Sequence, residues 1–113
     1  MGMGMAIRVE TSNGKTAVIY PGKSFERNQM RNLRMRLGEL VGAGYTSIVF
    51  EFSETEHVYY RLADTLARLK DIVEQRDGSL ILQGMNSYLT SIFNFLGMFN
   101  CFDYTDYQTE AMH

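Results

Sequence analysis

One cysteine, two histidines and a scatter of carboxylates are what this 113-residue chain offers for nucleophilic, acid–base or metal chemistry. Cys101 stands between Asn100 and Phe102. Free cysteines are among the most often buried residues, so it reads as a small core residue rather than a nucleophile. His57 closes the polar run Ser53-Glu-Thr-Glu-His57 with no serine or cysteine partner close in sequence, and reads as an exposed loop histidine. A triad assembled in space stays open to any sequence. One cysteine and two histidines do not make the donor set of a zinc site. Glu51, Glu54 and Glu56 form a local acidic group, but paired-carboxylate catalysis needs a geometry that spacing alone does not supply. Gly38, Gly42 and Gly44 lie at a helix end rather than after a strand, so they are helix terminators and not a phosphate-binding fingerprint. No enzyme activity, cofactor or metal is expected from these residues.

What remains is surface. Arg27, Arg31 and Arg34 recur at helical spacing and read as a solvated helix face; a patch for an acidic or phosphate-bearing partner is the sharper reading. Phe93, Phe95, Met98, Phe99 and Phe102 are more aromatic and methionine surface than one helix face can hide. Either the Gly97 break folds the last of them into the core, or they form a partner-binding or self-association patch, since aromatics and Met favour interface cores.

The elements that must carry these residues are legible from hydrophobic period. Ala6–Thr11 and Thr16–Tyr20 alternate around Asn13-Gly14, the strongest short hairpin signal. Ser24 reads as a helix N-cap. Phe25, Met30, Leu33, Leu37, Leu40 and Val41 then follow a helical period, closed by Gly42-Ala-Gly44. Thr46–Phe52 is a β-branched and aromatic strand entering a mostly buried sheet. Val58, Leu62, Leu66, Leu69 and Val73 predict a second helix, and Ser79–Gln83 a strand. Ser87 caps a third helix whose apolar residues are Tyr88, Leu89, Ile92, Phe93 and Leu96, closed by Gly97. Cys101–Tyr104 is a last short strand, and Thr105 or Asp106 starts a terminal helical turn through Met112. The order is ββαβαβαβα: an α/β fold, a mixed sheet opened by a hairpin with helices packed on it, joined by linkers of a few residues.

This length suits one domain, expected over 6–112, with residues 1–5 a disordered start segment. Eleven Lys and Arg against 13 Asp and Glu leave a net charge of −2, which argues against a whole-domain nucleic-acid footprint. No apolar run reaches the roughly 18 residues of a membrane span. With no export signal and a single cysteine, a reducing, cytoplasmic setting is expected.

Several segments resemble the STAS domains of the anti-sigma factor antagonist family. Gly44-Tyr-Thr-Ser-Ile-Val-Phe-Glu-Phe-Ser53 resembles the family's central strand and its closing turn. Gly78-Ser-Leu-Ile-Leu-Gln-Gly-Met-Asn-Ser87 resembles the next strand and the turn into the third helix. Leu96-Gly-Met-Phe-Asn-Cys-Phe-Asp-Tyr-Thr105 resembles the Leu-Gly-Leu segment, and Glu110-Ala111 the last helix. The resemblance departs at the family's signature, an Asp-Ser followed by a Gly, whose serine a partner kinase phosphorylates. Here Tyr59, Tyr60 and Arg61 occupy that region, so no phosphoacceptor carries over.

The resemblance implies a small regulatory protein–protein interaction module that is not switched by serine phosphorylation at that place. The expected contact surface is Glu54, Thr55, His57, Tyr59, Tyr60 and Arg61, with Asp64 and Arg68 one and two turns further on. The implied partner is a protein, resembling an anti-sigma factor or a switch-protein kinase, with a homodimer as a further option; neither nucleic acid nor membrane is expected. The alternatives are a nucleotide- or lipid-sensing or carrier domain with a pocket beside Phe93–Phe102, and a scaffold subunit of a signalling assembly.

Overall fold

The computed structural model describes residues 7–12 and 15–105. The Asn13-Gly14 turn, the terminal helical turn and Glu110-Ala111 lie outside the described residues, as does the start segment. Strand β1 (Arg8–Thr11) pairs antiparallel with β2 (Thr16–Tyr20), as the hairpin pattern predicts. Strands β4 (Ser47–Glu51), β6 (Ser79–Gln83) and β7 (Asp103–Tyr104) extend the sheet in parallel, in the order β1-β2-β4-β6-β7. Helices α1 (Met30–Gly42), α2 (Leu62–Glu74) and α3 (Ser87–Phe95) make the connections that parallel neighbours require.

Register explains the core. Ala17 pairs with Ile48 and Ile48 with Leu80; one pleat on, Ile19 pairs with Phe50 and Phe50 with Leu82. All six are buried, because residues two apart on a strand share a face. Met30, Leu33, Leu37 and Leu40 of α1, Leu62, Leu66, Leu69 and Val73 of α2, and Leu89 and Phe93 of α3 cover them in one cluster. Each such side chain contributes about 1.5–3 kcal/mol of burial. On the other pleat Val18, Val49 and Ile81 stand in one row and are only half-buried. The central strand is thus apolar on both pleats, but among the described residues only one carries helices.

Two short strands were not anticipated. Ser24–Phe25 (β3) pairs in parallel with His57–Val58 (β5), forming a second, two-stranded sheet. Lys23 O accepts from the amides of Glu56 at 2.7 Å and His57 at 3.2 Å, and Phe25 O accepts from Tyr59 N at 2.7 Å. Both helix starts move as a result. Ser24 is not an N-cap: Glu26 and Gln29 form a capping box around a 3-10 turn over 27–29, and α1 begins at Met30. Val58 lies on β5 rather than in α2, which begins at Leu62. For α3 the cap is Asn86 and not Ser87; its Oδ1 accepts from Leu89 N at 2.8 Å.

The aromatic exit of α3 largely folds back. Phe93 packs on Phe102 with ring centroids 5.6 Å apart, and Phe99 stacks on Tyr104 at 4.6 Å. Tyr104 Oη donates to Phe99 O at 2.6 Å. Burial, and secondarily the nearby Cys101, pushes the Tyr104 phenol up to about 12. Phe95 does not fold back and is 88% exposed. Tyr88, on the first turn of α3, is also exposed. Cys101 is exposed as well, contrary to the reading as a core residue. The 3-10 turn over Phe99–Cys101 leaves Phe102 as the residue that enters the core.

Candidate functional site

The loop after β4 decides where the second helix starts. Glu51 turns back on it: its Oε2 accepts from Ser53 N at 2.9 Å, and its Oε1 accepts from Gln83 Nε2 on the neighbouring strand. Gly84 fits closely beside this turn with a positive φ of 77°. A Cβ there would lie 2.4 Å from Glu51 Oε2 and 2.6 Å from Ser53 N. Thr55 then turns inward and is 1% exposed. Asn86 Nδ2 donates to Thr55 O at 3.0 Å, which ties the loop to the cap of α3.

From there the expected surface divides. Glu54 and His57 are exposed, but His57 faces away from α2: its Nδ1 lies 3.2 Å from Tyr88 Oη, and its Nε2 lies 3.8 Å from Glu26 Oε1. Thr55 is withdrawn from the surface altogether and cannot act as an accessible contact. Tyr59, Tyr60, Arg61, Asp64 and Arg68 come together along one side of the α2 start. Tyr60 is 53% exposed and meets Tyr59 edge-on, with ring centroids 5.1 Å apart. The Arg61 guanidinium carbon lies 5.8 Å from the Tyr60 ring centroid, within cation–π reach. The neighbouring Tyr60 phenol holds Arg61 above the usual guanidinium value. Asp64 sits in the first turn of α2, where a carboxylate suits the helix dipole.

The periodicity did not show what lies opposite. Arg27, Arg31 and Arg34 of the arginine stripe face Tyr59, Tyr60, Arg61, Asp64 and Arg68 across a groove of about 730 Å³. The stripe is solvated, as expected, but it is also one wall of a basic cleft. Its proximity to α2 follows from the β3–β5 pairing, which sets the two helix starts side by side. Only a signal for that pairing could have revealed the groove, and two-residue strands have none.

The hydroxyls near the α2 start are poor phosphoacceptors: Thr55 is buried and Thr65 is half-buried within the helix, leaving Ser53 exposed in the loop. Among the described residues no group of three or more His, Cys, Asp or Glu is placed to hold a metal ion. No described helix is long and apolar enough to cross a membrane.

No family model matches the chain. No curated protein matches it either. Solved structures do. The anti-sigma factor antagonist SpoIIAA in its unphosphorylated form is similar at a TM-score of 0.78 and 17% identity, over 88% of each chain. SpoIIAA, the Bacillus cell fate determinant, in its phosphorylated form is similar at 0.72 and 15%, over 96% of this chain and all of that one. RsbS of Moorella thermoacetica, in a variant form, is similar at 0.72 and 12%, over 88% and 86%. The order of elements reached from periodicity and the fold of these proteins agree: the chain has the STAS fold.

Proposed function

We propose that this STAS-fold chain is a regulatory protein–protein interaction module of the anti-sigma factor antagonist type and not an enzyme. It docks a protein partner through Tyr59, Tyr60, Arg61, Asp64 and Arg68, with Glu54 and His57 at the margin. The observation that carries the reading is the exposed Tyr60–Arg61 pair at the start of α2. Tyr and Arg are among the residue types most enriched in binding hot spots, and here both are presented to solvent in the turn that leads into α2. The same pair stands where the family's phosphorylated serine would be, so docking is not toggled by phosphate there. A phosphate would add about −1.5 to −2 charges at a helix N-terminus, and this chain has no serine or threonine at that place to accept it. Such a module works inside the cell, in a reducing compartment.

The sensing-pocket alternative loses weight because the Phe93–Phe102 segment fills its own space. The test is affinity purification of the tagged chain from its own cell extract beside the Tyr60→Ala, Arg61→Ala double variant. A kinase-like or anti-sigma protein that co-purifies with wild type, and at least tenfold less with the variant, supports the reading and the site. Equal capture by both forms refutes the site; no capture by either refutes the module.

A further inference from the structure

The groove between the two helices does not stop at Tyr60. A second stretch of about 520 Å³ continues it toward the C-terminal ends of α1 and α2. The two stretches share Arg34, Thr65 and Arg68, so they are one channel. Its chemistry changes along its length. Near Tyr60 the walls are polar; further on the floor is Leu37, Val41, Leu69 and Ile72. Ile72 is 44% exposed, an unusual state for isoleucine on a helix that packs a core. Gly38 and Gly42, one turn apart on α1, have no atom within 4 Å of where a Cβ would stand.

Charge is the second observation. Arg27, Arg31, Arg34, Arg61, Arg68 and Arg76 line the channel, against Asp64 alone. These six are more than half of the chain's 11 Lys and Arg, in a chain whose net charge is negative. None of the six makes an ion pair with another side chain among the described residues, although Arg8, Arg36 and Lys70 elsewhere do. A basic channel with an apolar floor and a glycine-bared wall matches neither a nucleic acid, whose phosphates gain nothing from the floor, nor a small anion, which would leave most of it empty.

We infer that the channel receives an acidic amphipathic helix of the protein partner. Its apolar side lies over Val41, Leu69 and Ile72, its backbone approaches α1 at Gly38 and Gly42, and its carboxylates meet the arginines. This is helix-in-groove recognition, read through apolar residues at i, i+3 or i+4, and i+7. α1 has 13 residues, about 20 Å, so roughly three turns of partner helix fit alongside. The inference rests on the reading of the chain as an interaction module and names the chemistry of the partner.

The test places the photo-crosslinking residue benzoylphenylalanine at position 72 of the full chain, in its own cells, and at position 95 in a parallel strain. Crosslinked segments are sequenced by mass spectrometry. The expected result is a protein segment captured from position 72 that carries net negative charge and a helical apolar repeat. Capture should fall at least tenfold in the Arg34→Glu, Arg68→Glu variant. It should fall as far in Gly38→Leu, which fills open space and favours the helix, so this variant unfolds at higher urea while losing the partner. A basic segment, one with no apolar repeat, crosslinked RNA or lipid, or capture that Gly38→Leu leaves unchanged would overturn the inference. A partner captured from position 95 and not from 72 sinks the channel and leaves the module standing; no protein from either position sinks both.

Discussion

Gly84→Ala tests whether the loop that delivers the α2 start is held by contact or only by connectivity. Three costs add. Any residue with a Cβ must hold the left-handed φ of 77°, at about 1–2 kcal/mol. The new Cβ would lie 2.4 Å from Glu51 Oε2, 2.6 Å from Ser53 N and 3.0 Å from Ser53 Cα. Contact distances are about 3.5 Å or more, so the Ser53 backbone must retreat by roughly an ångström, at a further 1–3 kcal/mol or so. That retreat strains or breaks the bond from Ser53 N to Glu51, another 1 kcal/mol or so. The sum is about 3–6 kcal/mol, a large share of the roughly 5–15 kcal/mol that holds a domain together. Gly97→Ala is the control: its φ is 72°, but nothing lies within 4 Å of the added Cβ, so only the first cost applies. The assay is urea unfolding of both variants and wild type, followed by far-UV circular dichroism. Gly84→Ala should lose at least about 2 kcal/mol more than Gly97→Ala, with its thermal midpoint at least about 10 °C below the control. Equal losses would refute the claim that close packing at Glu51 and Ser53 fixes the loop.

Other expectations follow from burial and charge. Leu66→Ala, which removes a fully buried side chain of α2, should cost about 2–5 kcal/mol in the same urea assay. Phe95→Ser, at a position 88% exposed, should change stability by less than about 0.5 kcal/mol. Asn86→Ala removes both the α3 cap and the bond to Thr55 O, and should cost about 1–2 kcal/mol. The folded-state pKa of Tyr104 is raised from 10.0 to about 12, so the unfolded chain releases that proton first. Stability should therefore fall as pH rises from 10 toward 12, and the fall should be smaller in Tyr104→Phe, read from urea midpoints across that range.

How much of this was legible depended on whether a signal was local. The nine-residue sweep from Leu33 to Leu40 and Val41, and the alternation in β2 and β6, record contact with a core on a regular period, so helices and strands could be read directly. The second sheet could not. Ser24–Phe25 and His57–Val58 are too short to show a period, and their pairing spans more than thirty residues of chain. Ser24 therefore resembled a cap and Val58 the first apolar residue of a helix. The core reading of Cys101 follows the habit of its residue type, but the direction in which a 3-10 turn points a side chain is not written in composition. The proposed docking surface was legible in halves. Tyr59 to Arg61 stood out by departing from a family pattern, and Arg27, Arg31 and Arg34 by spacing. Only the tertiary fold makes them opposite walls of one cleft, and only burial removes Thr55 from it.

The small second sheet also supplies a gauge. The amide of Tyr59, bonded to Phe25 O, belongs to the segment that fastens the two helix starts to one another. Short pairings at a surface open far more often than core strands, so this amide should exchange its hydrogen much faster than those of β4. A helix seated between α1 and α2 would favour the fastened state and slow that exchange. The protection of one backbone hydrogen would then register occupancy of the cleft, without any label on the partner.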